Sequence, residues 1–322
     1  MERRQLGHTG LEVSVIGYGC GAIGGLMVKG SAAEQDRAIG RALDQGITYF
    51  DTASAYGDGA SERNLGRALR GLAANPVIGT KVRIFPEQRG DVAGTIAASL
   101  EASLARLGRE RVDIFQLHNP ITAAGTAPAF TADAILEQAV PALRRLQAQG
   151  KIGHYGITGL GDAPALLHVL EEGGFATAQM PYNLLNPSGV APLKAGSDMP
   201  DLGGVIAGAA ALGVGVMAIR VLAGGALSGT EARGPMGVPA PAPIASGADY
   251  AADVAAAQRF RPLVAAGFAA DLVELALRFA AMPREISTIL VGSGSVEEMD
   301  HAVAALTRGP LPPEALAMLE TL

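Results

Sequence analysis

The sequence lacks several features that would place it in other classes of protein. Its 322 residues include one cysteine, Cys20, and no tryptophan. A single cysteine excludes an internal disulfide framework or a thiolate-rich zinc site and fits a cytoplasmic location. No apolar run reaches the about 18 residues of a membrane span, and the start, MERRQLGHTGLEV, lacks a signal-peptide core. With 25 Lys and Arg against 31 Asp and Glu, no basic surface for nucleic acid is expected.

What is present is an alternation of β-branched runs and stretches of helical periodicity, in a chain that is 49% hydrophobic. This alternation favours βα units around a parallel sheet. Eight such units without a break in composition predict an α/β fold, a single (β/α)8 TIM barrel over residues 1–322. The predicted strands are 13–17, 48–51, 77–81, 112–117, 151–158, 177–180, 215–219 and 287–291.

Three segments need separate interpretation. A turn signal, His8-Thr9-Gly10, predicts an N-terminal β-hairpin within residues 3–17. Residues 230–250, after the seventh predicted strand, are rich in Gly, Pro and Ala and form either a mobile loop over the barrel mouth or a disordered insertion. Residues 19–24 match G-x-G-x-x-G, but the next strong helical stretch begins only near residue 31, so we interpret them as a tight loop and not as a Rossmann phosphate site.

Four ionisable side chains lie at or just after the ends of three consecutive predicted strands. Asp51, Lys81 and His118 end the second, third and fourth strands, and Tyr56 follows Asp51 by five residues. Each alone could be a helix cap, a loop aromatic or a surface charge. Because the carboxyl ends of barrel strands converge on one mouth, their joint occurrence there predicts an active site.

The chemistry that fits these four groups is proton transfer coupled to hydride transfer. A tyrosine titrates near 10, so Tyr56 needs a nearby cation to favour its ionised form, and Lys81 can supply it. Asp51 can hold that ammonium group, and His118 can hydrogen-bond a substrate carbonyl oxygen. A carbonyl polarised in this way accepts hydride from a nicotinamide. A metal site is not expected, because His118 has no second histidine at ligand spacing.

These residues and their surroundings resemble the aldo-keto reductase superfamily over almost the whole chain, and the run 156–160 resembles its aldose 1-dehydrogenase members. The resemblance implies a barrel that binds extended NAD(P), with Asp51, Tyr56, Lys81 and His118 as the catalytic tetrad and Tyr56 as proton donor or acceptor. The matching stretches are 46–53, 56–57, 61–62, 65–66, 79–81, 113–118, 151–153, 156–159, Gln179, 182–183 and 287–292.

The resemblance also implies which residues contact the ligands. Phe85, Asn119 and Ile121 would line the substrate pocket beside Tyr56 and His118. The cofactor positions are Gly19, Cys20, Asp51, Thr158, Gln179, Ile219, Arg220, Gly292, Ser293, Gly294 and Glu298.

Three of these positions depart from the family pattern. Thr158-Gly159 replaces a common Ser-Asn pair, and Ile219 stands where an aromatic residue commonly lies under the nicotinamide. Glu298 falls where NADP-preferring relatives place an arginine. A carboxylate repels a 2′-phosphate but accepts hydrogen bonds from a ribose diol, so we expect NAD to be preferred over NADP. Alternatively, Glu298 is an exposed first-turn residue that interacts favourably with its helix dipole.

The leading hypothesis is an NAD(P)-dependent oxidoreductase that oxidises an aldose sugar at C1. One alternative is a general aldehyde or ketone reductase. Another, from a different class, is a cofactor-binding regulatory or sensor barrel.

Overall fold

Eight parallel strands close into a barrel in the computed structural model, which describes residues 1–194 and 196–322. Each strand pairs with its neighbour in the chain, and the last pairs with the first of the barrel, so the predicted (β/α)8 fold is confirmed. A two-stranded antiparallel hairpin precedes it. The strands are β1 (Arg3–Gln5) and β2 (Glu12–Ser14) in the hairpin, then β3 (Ile16–Gly19), β4 (Tyr49–Asp51), β5 (Val77–Val82), β6 (Val112–Leu117), β7 (Ile152–Thr158), β8 (Thr177–Pro181), β9 (Gly215–Ile219) and β10 (Ile286–Val291).

The hairpin closes the amino end of the barrel and corrects the first predicted strand. Residues 13–17 do not form one strand, because the chain changes partners at Val15, whose N–H donates to the Glu2 carbonyl at 2.9 Å. Val13 therefore belongs to β2 and the barrel strand starts at Ile16. Leu6 and Val13 are fully buried and pack with Met217 inside the barrel. Burying each such side chain contributes about 1.5–3 kcal/mol.

Helices surround the barrel and bury one face each, as the apolar spacing predicts. The second helix begins with a capping box, in which the Ser31 hydroxyl accepts from the Glu34 N–H and the Glu34 carboxylate accepts from the Ser31 N–H. The helices are α1 (Leu26–Lys29), α2 (Ala32–Asp44), α3 (Ala60–Gly71), α4 (Val92–Leu107), α5 (Ala132–Ala134), α6 (Val140–Ala148), α7 (Ala163–Gly173), α8 (Val205–Ala211), α9 (Tyr250–Ala257), α10 (Arg261–Ala265), α11 (Leu272–Ala280), α12 (Val296–Thr307) and α13 (Pro313–Leu319), with a π-helical turn at Ile135–Ala139 between α5 and α6.

The glycines of the loop after β3 allow this loop to pack closely against two other loops. A Cβ on Gly24 would lie 2.5 Å from the Ser293 nitrogen, and one on Gly25 would lie 1.8 Å from the Met236 carbonyl oxygen. Glycine at these positions therefore lets two neighbouring loops approach. The strong helical stretch predicted near residue 31 is α2, which begins at Ala32, but the four-residue helix α1 already starts at Leu26, directly after the motif. The sheet is nevertheless a closed barrel and not a Rossmann sheet.

Residues 230–250 cross from the loop after β9 to the loop after β3. Arg233 anchors this segment by donating to the carbonyls of Gly224 at 2.6 Å and Ile23 at 3.3 Å and to the Tyr250 hydroxyl at 2.9 Å. Lys29 adds a hydrogen bond to the Gly237 carbonyl at 3.2 Å. Movement of this segment as a lid stays a prediction. In the described part of the chain, no helix is long and apolar enough to cross a membrane.

Candidate active site

The four residues of the predicted tetrad meet at the carboxyl end of the barrel. Asp51 ends β4, Lys81 lies near the end of β5 and His118 follows β6 directly. Alternation along a strand turns such residues toward the barrel axis. Tyr56 comes from the loop after β4, and its ring centroid lies 4.9 Å from the Lys81 Nζ atom. The structure therefore brings together side chains that are up to 67 residues apart in sequence, from 51 to 118.

A buried ion pair forms the centre of the site. Lys81 is fully buried and donates through Nζ to Asp51 Oδ2 at 2.5 Å and to the Thr52 carbonyl at 2.8 Å. Its third close neighbour is the Tyr56 hydroxyl, at 3.4 Å. Burial lowers the pKa of Lys81, but the attraction of Asp51 and Tyr56 outweighs it and the net shift is upward. Lys81 is therefore a fixed cation beneath the phenol.

The second oxygen of Asp51 is held by two further donors. Gln179 Nε2 donates to Asp51 Oδ1 at 2.6 Å, and the Tyr49 hydroxyl donates to the same atom at 3.1 Å. Tyr49 was not predicted as a site residue, although its place two residues before Asp51 on a strand puts both side chains on one face. Gly79 makes room for it, since a Cβ there would lie 2.2 Å from the Tyr49 hydroxyl oxygen.

Tyr56 is a neutral phenol in this environment. Burial raises its pKa, and the lowering effect of Lys81 offsets this only in part, so the net shift is upward. The predicted effect of Lys81, which favours the ionised form of Tyr56, is therefore present but is smaller than the effect of burial. The nearby Asp51 charge also raises the pKa, which explains why the cation does not dominate. Tyr56 therefore carries its proton in this environment.

His118 is also neutral. Burial, together with the charges of Lys81 and Arg83, lowers the pKa of His118 to about 3. Its ring centroid lies 6.2 Å from that of Tyr56, at an interplanar angle of 86°. A neutral imidazole retains one N–H donor, which suits a hydrogen bond to a carbonyl oxygen.

The predicted substrate-lining residues divide into two groups. Phe85 is 45% exposed at the mouth. Asn119 and Ile121 are both fully buried, and contact of either side chain with a substrate stays a prediction. The Asn119 amide bonds to both the N–H and the carbonyl of Ile84, at 2.8 Å each, so it ties two loops together.

The predicted nicotinamide end of the cofactor site has features that fit that group. Thr158 and Gln179 are register partners on β7 and β8, and Thr158 is 1% exposed. The Thr158 hydroxyl has no hydrogen-bond partner among the described residues, which suits a carboxamide ligand. Gln179 uses its amide nitrogen on Asp51 and retains its oxygen as an acceptor. Ile219 lies partly buried at the end of β9.

At the pyrophosphate end, Gly19 and Gly292 provide close backbone approach, since a Cβ on Gly19 would lie 3.2 Å from the Gly292 nitrogen. Arg220, at a positive φ of 57°, donates to the Ala242 carbonyl at 3.2 Å. Cys20 does not reach the groove. Its side chain is fully buried, and its N–H and carbonyl bond to Asp51 and Ser61.

The loop after β10 carries the remaining predicted contacts. The Ser293 hydroxyl lies 3.3 Å from that of Tyr18, and the Gly294 N–H donates to Glu298 Oε2 at 2.7 Å. The Glu298 carboxylate accepts no other hydrogen bond from the described residues. The Glu298 N–H donates to Ser295 Oγ at 3.2 Å. Glu298 is therefore an exposed first-turn residue of α12, with one carboxylate oxygen directed to its own loop.

A barrel of this kind, with a Tyr–Lys–Asp–His cluster at its carboxyl end, defines an oxidoreductase that uses a nicotinamide cofactor. Residues 15–322 match the Aldo/keto reductase family, and the chain belongs to that family as an NAD(P)-dependent oxidoreductase. It is 30% identical over 316 residues to L-galactose dehydrogenase of Arabidopsis thaliana, covering 95% of this chain and 88% of the relative.

Two further proteins extend this comparison. D-threo-aldose 1-dehydrogenase of a Pseudomonas species is 32% identical over 174 residues, which cover 46% of this chain and 51% of that protein. The holo form of an aldo-keto reductase from Bacillus halodurans superposes with a TM-score of 0.76 at 24% identity, covering 100% of this chain and 96% of the other. The structural match supports the fold.

Proposed function

We propose that this enzyme oxidises an aldose sugar at C1, with NAD as the preferred cofactor. The observation that supports the proposal best is the cluster of Tyr56, Lys81 and Asp51 beside a neutral His118 at the open end of the barrel. The relatives named as L-galactose dehydrogenase and D-threo-aldose 1-dehydrogenase favour a sugar as the substrate.

The catalytic roles follow from the atoms that each residue presents. His118 donates a hydrogen bond to the oxygen on C1 and fixes its direction. Tyr56 exchanges a proton with that oxygen, taking it from the C1 hydroxyl during oxidation and returning it during reduction. Lys81, held by Asp51, stabilises the phenolate that oxidation requires. A bound nicotinamide supplies the hydride acceptor, so the lactol loses a proton from O1 and a hydride from C1 and becomes a lactone.

The raised pKa of Tyr56 sets the expected pH dependence. The phenol is the predominant form at neutral pH, and oxidation needs the phenolate. Oxidation should therefore accelerate as the pH rises, whereas reduction of a carbonyl should not. This asymmetry also favours the second candidate function, a general aldehyde or ketone reductase, because a neutral phenol is ready to protonate a carbonyl oxygen.

The cofactor contacts belong to the same proposal. Thr158 and Gln179 would hold the carboxamide, and Ile219 would lie beneath the nicotinamide ring. Arg220, Gly19, Gly292, Ser293 and Gly294 would line the pyrophosphate and adenosine end. Glu298 would accept hydrogen bonds from the adenosine ribose diol.

Steady-state kinetics test the reaction. L-fucose, L-galactose and D-arabinose with NAD or NADP should be compared with nitrobenzaldehyde and the reduced cofactors. We expect oxidation of at least one sugar with a higher kcat/KM than nitrobenzaldehyde reduction. Clear aldehyde reduction without turnover of any sugar would favour the general reductase. Tight NAD(H) binding without turnover of any of these compounds would favour a sensor.

Glu298→Arg tests the nucleotide preference. An arginine there attracts the 2′-phosphate and removes the carboxylate, so the ratio of kcat/KM for NADP to that for NAD should rise about tenfold or more. Glu297→Arg is the matched control, because it makes the same charge change at the adjacent exposed residue of α12. An unchanged ratio in Glu298→Arg, or an equal rise in both variants, would contradict this assignment.

A further inference from the structure

An arginine outside the predicted tetrad lies at the barrel mouth. Arg83 follows Lys81 by two residues, just past the end of β5, so both are on the inward face of the chain at that point. Its side chain is exposed, and its guanidinium carbon lies 5.9 Å from the centroid of the Phe85 ring. Within residues 1–194 and 196–322, Arg83 makes no hydrogen bond or ion pair with another side chain.

Arg83 lies close to His118, because the His118 N–H donates to the carbonyl of Val82, the residue before Arg83, at 2.8 Å. It is one of the two cations that lower the pKa of His118, the other being Lys81. Lys81 is paired with Asp51 at 2.5 Å, so that pair carries no net charge. Arg83 therefore leaves an uncompensated positive charge beside His118.

The barrel order separates Arg83 from the proposed cofactor groove. In the order β10-β3-β4-β5-β6-β7-β8-β9, strands β5 and β9 stand four places apart in both directions, so they are opposite each other. The predicted cofactor positions lie at the ends of β3, β4, β7, β8, β9 and β10, and Arg83 follows β5, one of the two remaining strands. The guanidinium of Arg83 is thus on the side of His118 that is left for the substrate.

We propose that Arg83, together with the ring of Phe85, binds an anionic group of the substrate, a carboxylate or a phosphate, on the same molecule as the carbonyl or lactol. A guanidinium can donate two parallel hydrogen bonds to either group, and the exposed ring covers the carbon chain between the anion and the reacting carbon. The preferred substrate is then an acidic sugar or acidic aldehyde over its neutral counterpart. This inference rests on the proposed oxidoreductase function and narrows its substrate.

Matched substrate pairs test the proposal. D-galacturonate and D-galactose 6-phosphate are compared with D-galactose in oxidation, and 4-carboxybenzaldehyde is compared with 4-nitrobenzaldehyde in reduction. In the unmodified enzyme, kcat/KM should be at least about tenfold higher for an acidic member than for its neutral partner. The carboxylate and phosphate sugars distinguish the two sources of negative charge.

Arg83→Gln should lower kcat/KM for the preferred acidic substrate about tenfold or more, mainly through KM, and change it less than about twofold for the neutral partner. Arg83→Lys should keep part of the preference for the acidic substrate. The positive charge remains, but the ammonium group cannot donate the two parallel hydrogen bonds of a guanidinium. Arg37→Gln is the control for net charge, since Arg37 is exposed on the outer face of α2.

The outcomes separate this proposal from the general function. Equal losses for acidic and neutral substrates in Arg83→Gln, or no loss for either, would overturn the anion site while turnover that depends on Tyr56 leaves the oxidoreductase function intact. If no member of any pair is turned over, the anion site fails, and the oxidoreductase function fails with it only if L-fucose, L-galactose and D-arabinose are not oxidised either.

Discussion

Two layers of the barrel interior differ in how their polar groups are satisfied. In the upper layer, Asp51 and Lys81 are surrounded by close donors and acceptors, including Tyr49 and Gln179. The lower layer consists of Gln116, Gly156 and Thr177, which are in register on β6, β7 and β8. Gln116 is fully buried, and neither its amide oxygen nor its nitrogen has a hydrogen-bond partner in the described chain. Yet Gln116 is the register partner of Lys81 on the next strand. Adjacent positions on one surface thus have opposite hydrogen-bonding states.

The difference indicates where the fold fixes geometry. A buried charge needs partners on every side, so the upper layer holds its side chains in one arrangement. An unpartnered buried polar group destabilises the folded protein by about 1–3 kcal/mol and does not hold neighbouring side chains in place. Gly156 lies between Gln116 and Thr177 in the lower layer, and a Cβ there would be 2.2 Å from the Thr177 hydroxyl oxygen. The upper layer therefore holds the predicted catalytic side chains in one arrangement. In the lower layer, the described residues do not hold the Gln116 amide.

The largest expected effect comes from Tyr56→Phe, which removes the proton donor and leaves the upper ion pair intact. Turnover should fall about 10²–10⁴-fold, as for the loss of a general acid or base. Cofactor affinity should change little, because one hydroxyl is removed. Steady-state rates and a fluorescence titration with NAD(H) measure the two effects. Weak cofactor binding together with near-normal turnover would contradict the role given to Tyr56.

Lys81→Met breaks the upper layer directly. It leaves the Asp51 carboxylate buried without its cation, which should destabilise the fold by about 3–5 kcal/mol. Thermal unfolding should then occur roughly 4–7 °C lower at pH 7. The unpaired carboxylate has a raised pKa, so the loss should be present above that pKa and shrink as the pH falls and Asp51 takes up a proton.

A second variant checks that the ion pair is the cause. Lys81→Met combined with Asp51→Asn removes both charges and should recover part of the lost stability. A double variant no more stable than Lys81→Met would show that packing, and not the unpaired charge, explains the loss.

Tyr49→Phe weakens the upper layer without removing a charge. Burial raises the pKa of Asp51, and the hydrogen bond from Tyr49 opposes that rise. Loss of this bond should therefore lower kcat several-fold and move the acid limb of the pH–rate profile upward. Tyr155→Phe is the control: it removes a buried hydroxyl that donates to the Gly173 carbonyl at 3.0 Å. Both variants should lose similar stability, and only Tyr49→Phe should shift the pH profile. Identical profiles would assign Tyr49 a purely structural role.

Strand ends and the loops that follow them differ in how well the sequence predicts them. The strand ends at Asp51, Lys81 and His118 follow from periodicity and topology, because parallel strands in a barrel all deliver their carboxyl ends to one mouth. The hydrogen bonds of Asn119 could not be predicted, since they depend on how two loops meet after the strands end. The full burial of Ile121 depends on the same kind of loop contact, since it bridges to Phe130 and Gly161. The net pKa of Tyr56 required the balance of burial against charge, which only coordinates provide.

The smallest expected effect belongs to the lower layer. Gln116→Met keeps the length of the side chain and removes an amide that makes no hydrogen bond to the described residues, so stability should be unchanged or should rise by up to about 1 kcal/mol. Gln179→Met is the contrasting variant in the upper layer, where the lost donor leaves Asp51 less satisfied and the protein should lose stability. Chemical denaturation of both variants at pH 7 measures the difference. If Gln116→Met destabilises as much as Gln179→Met, the Gln116 amide is satisfied through bound water, and the two layers are equally well connected.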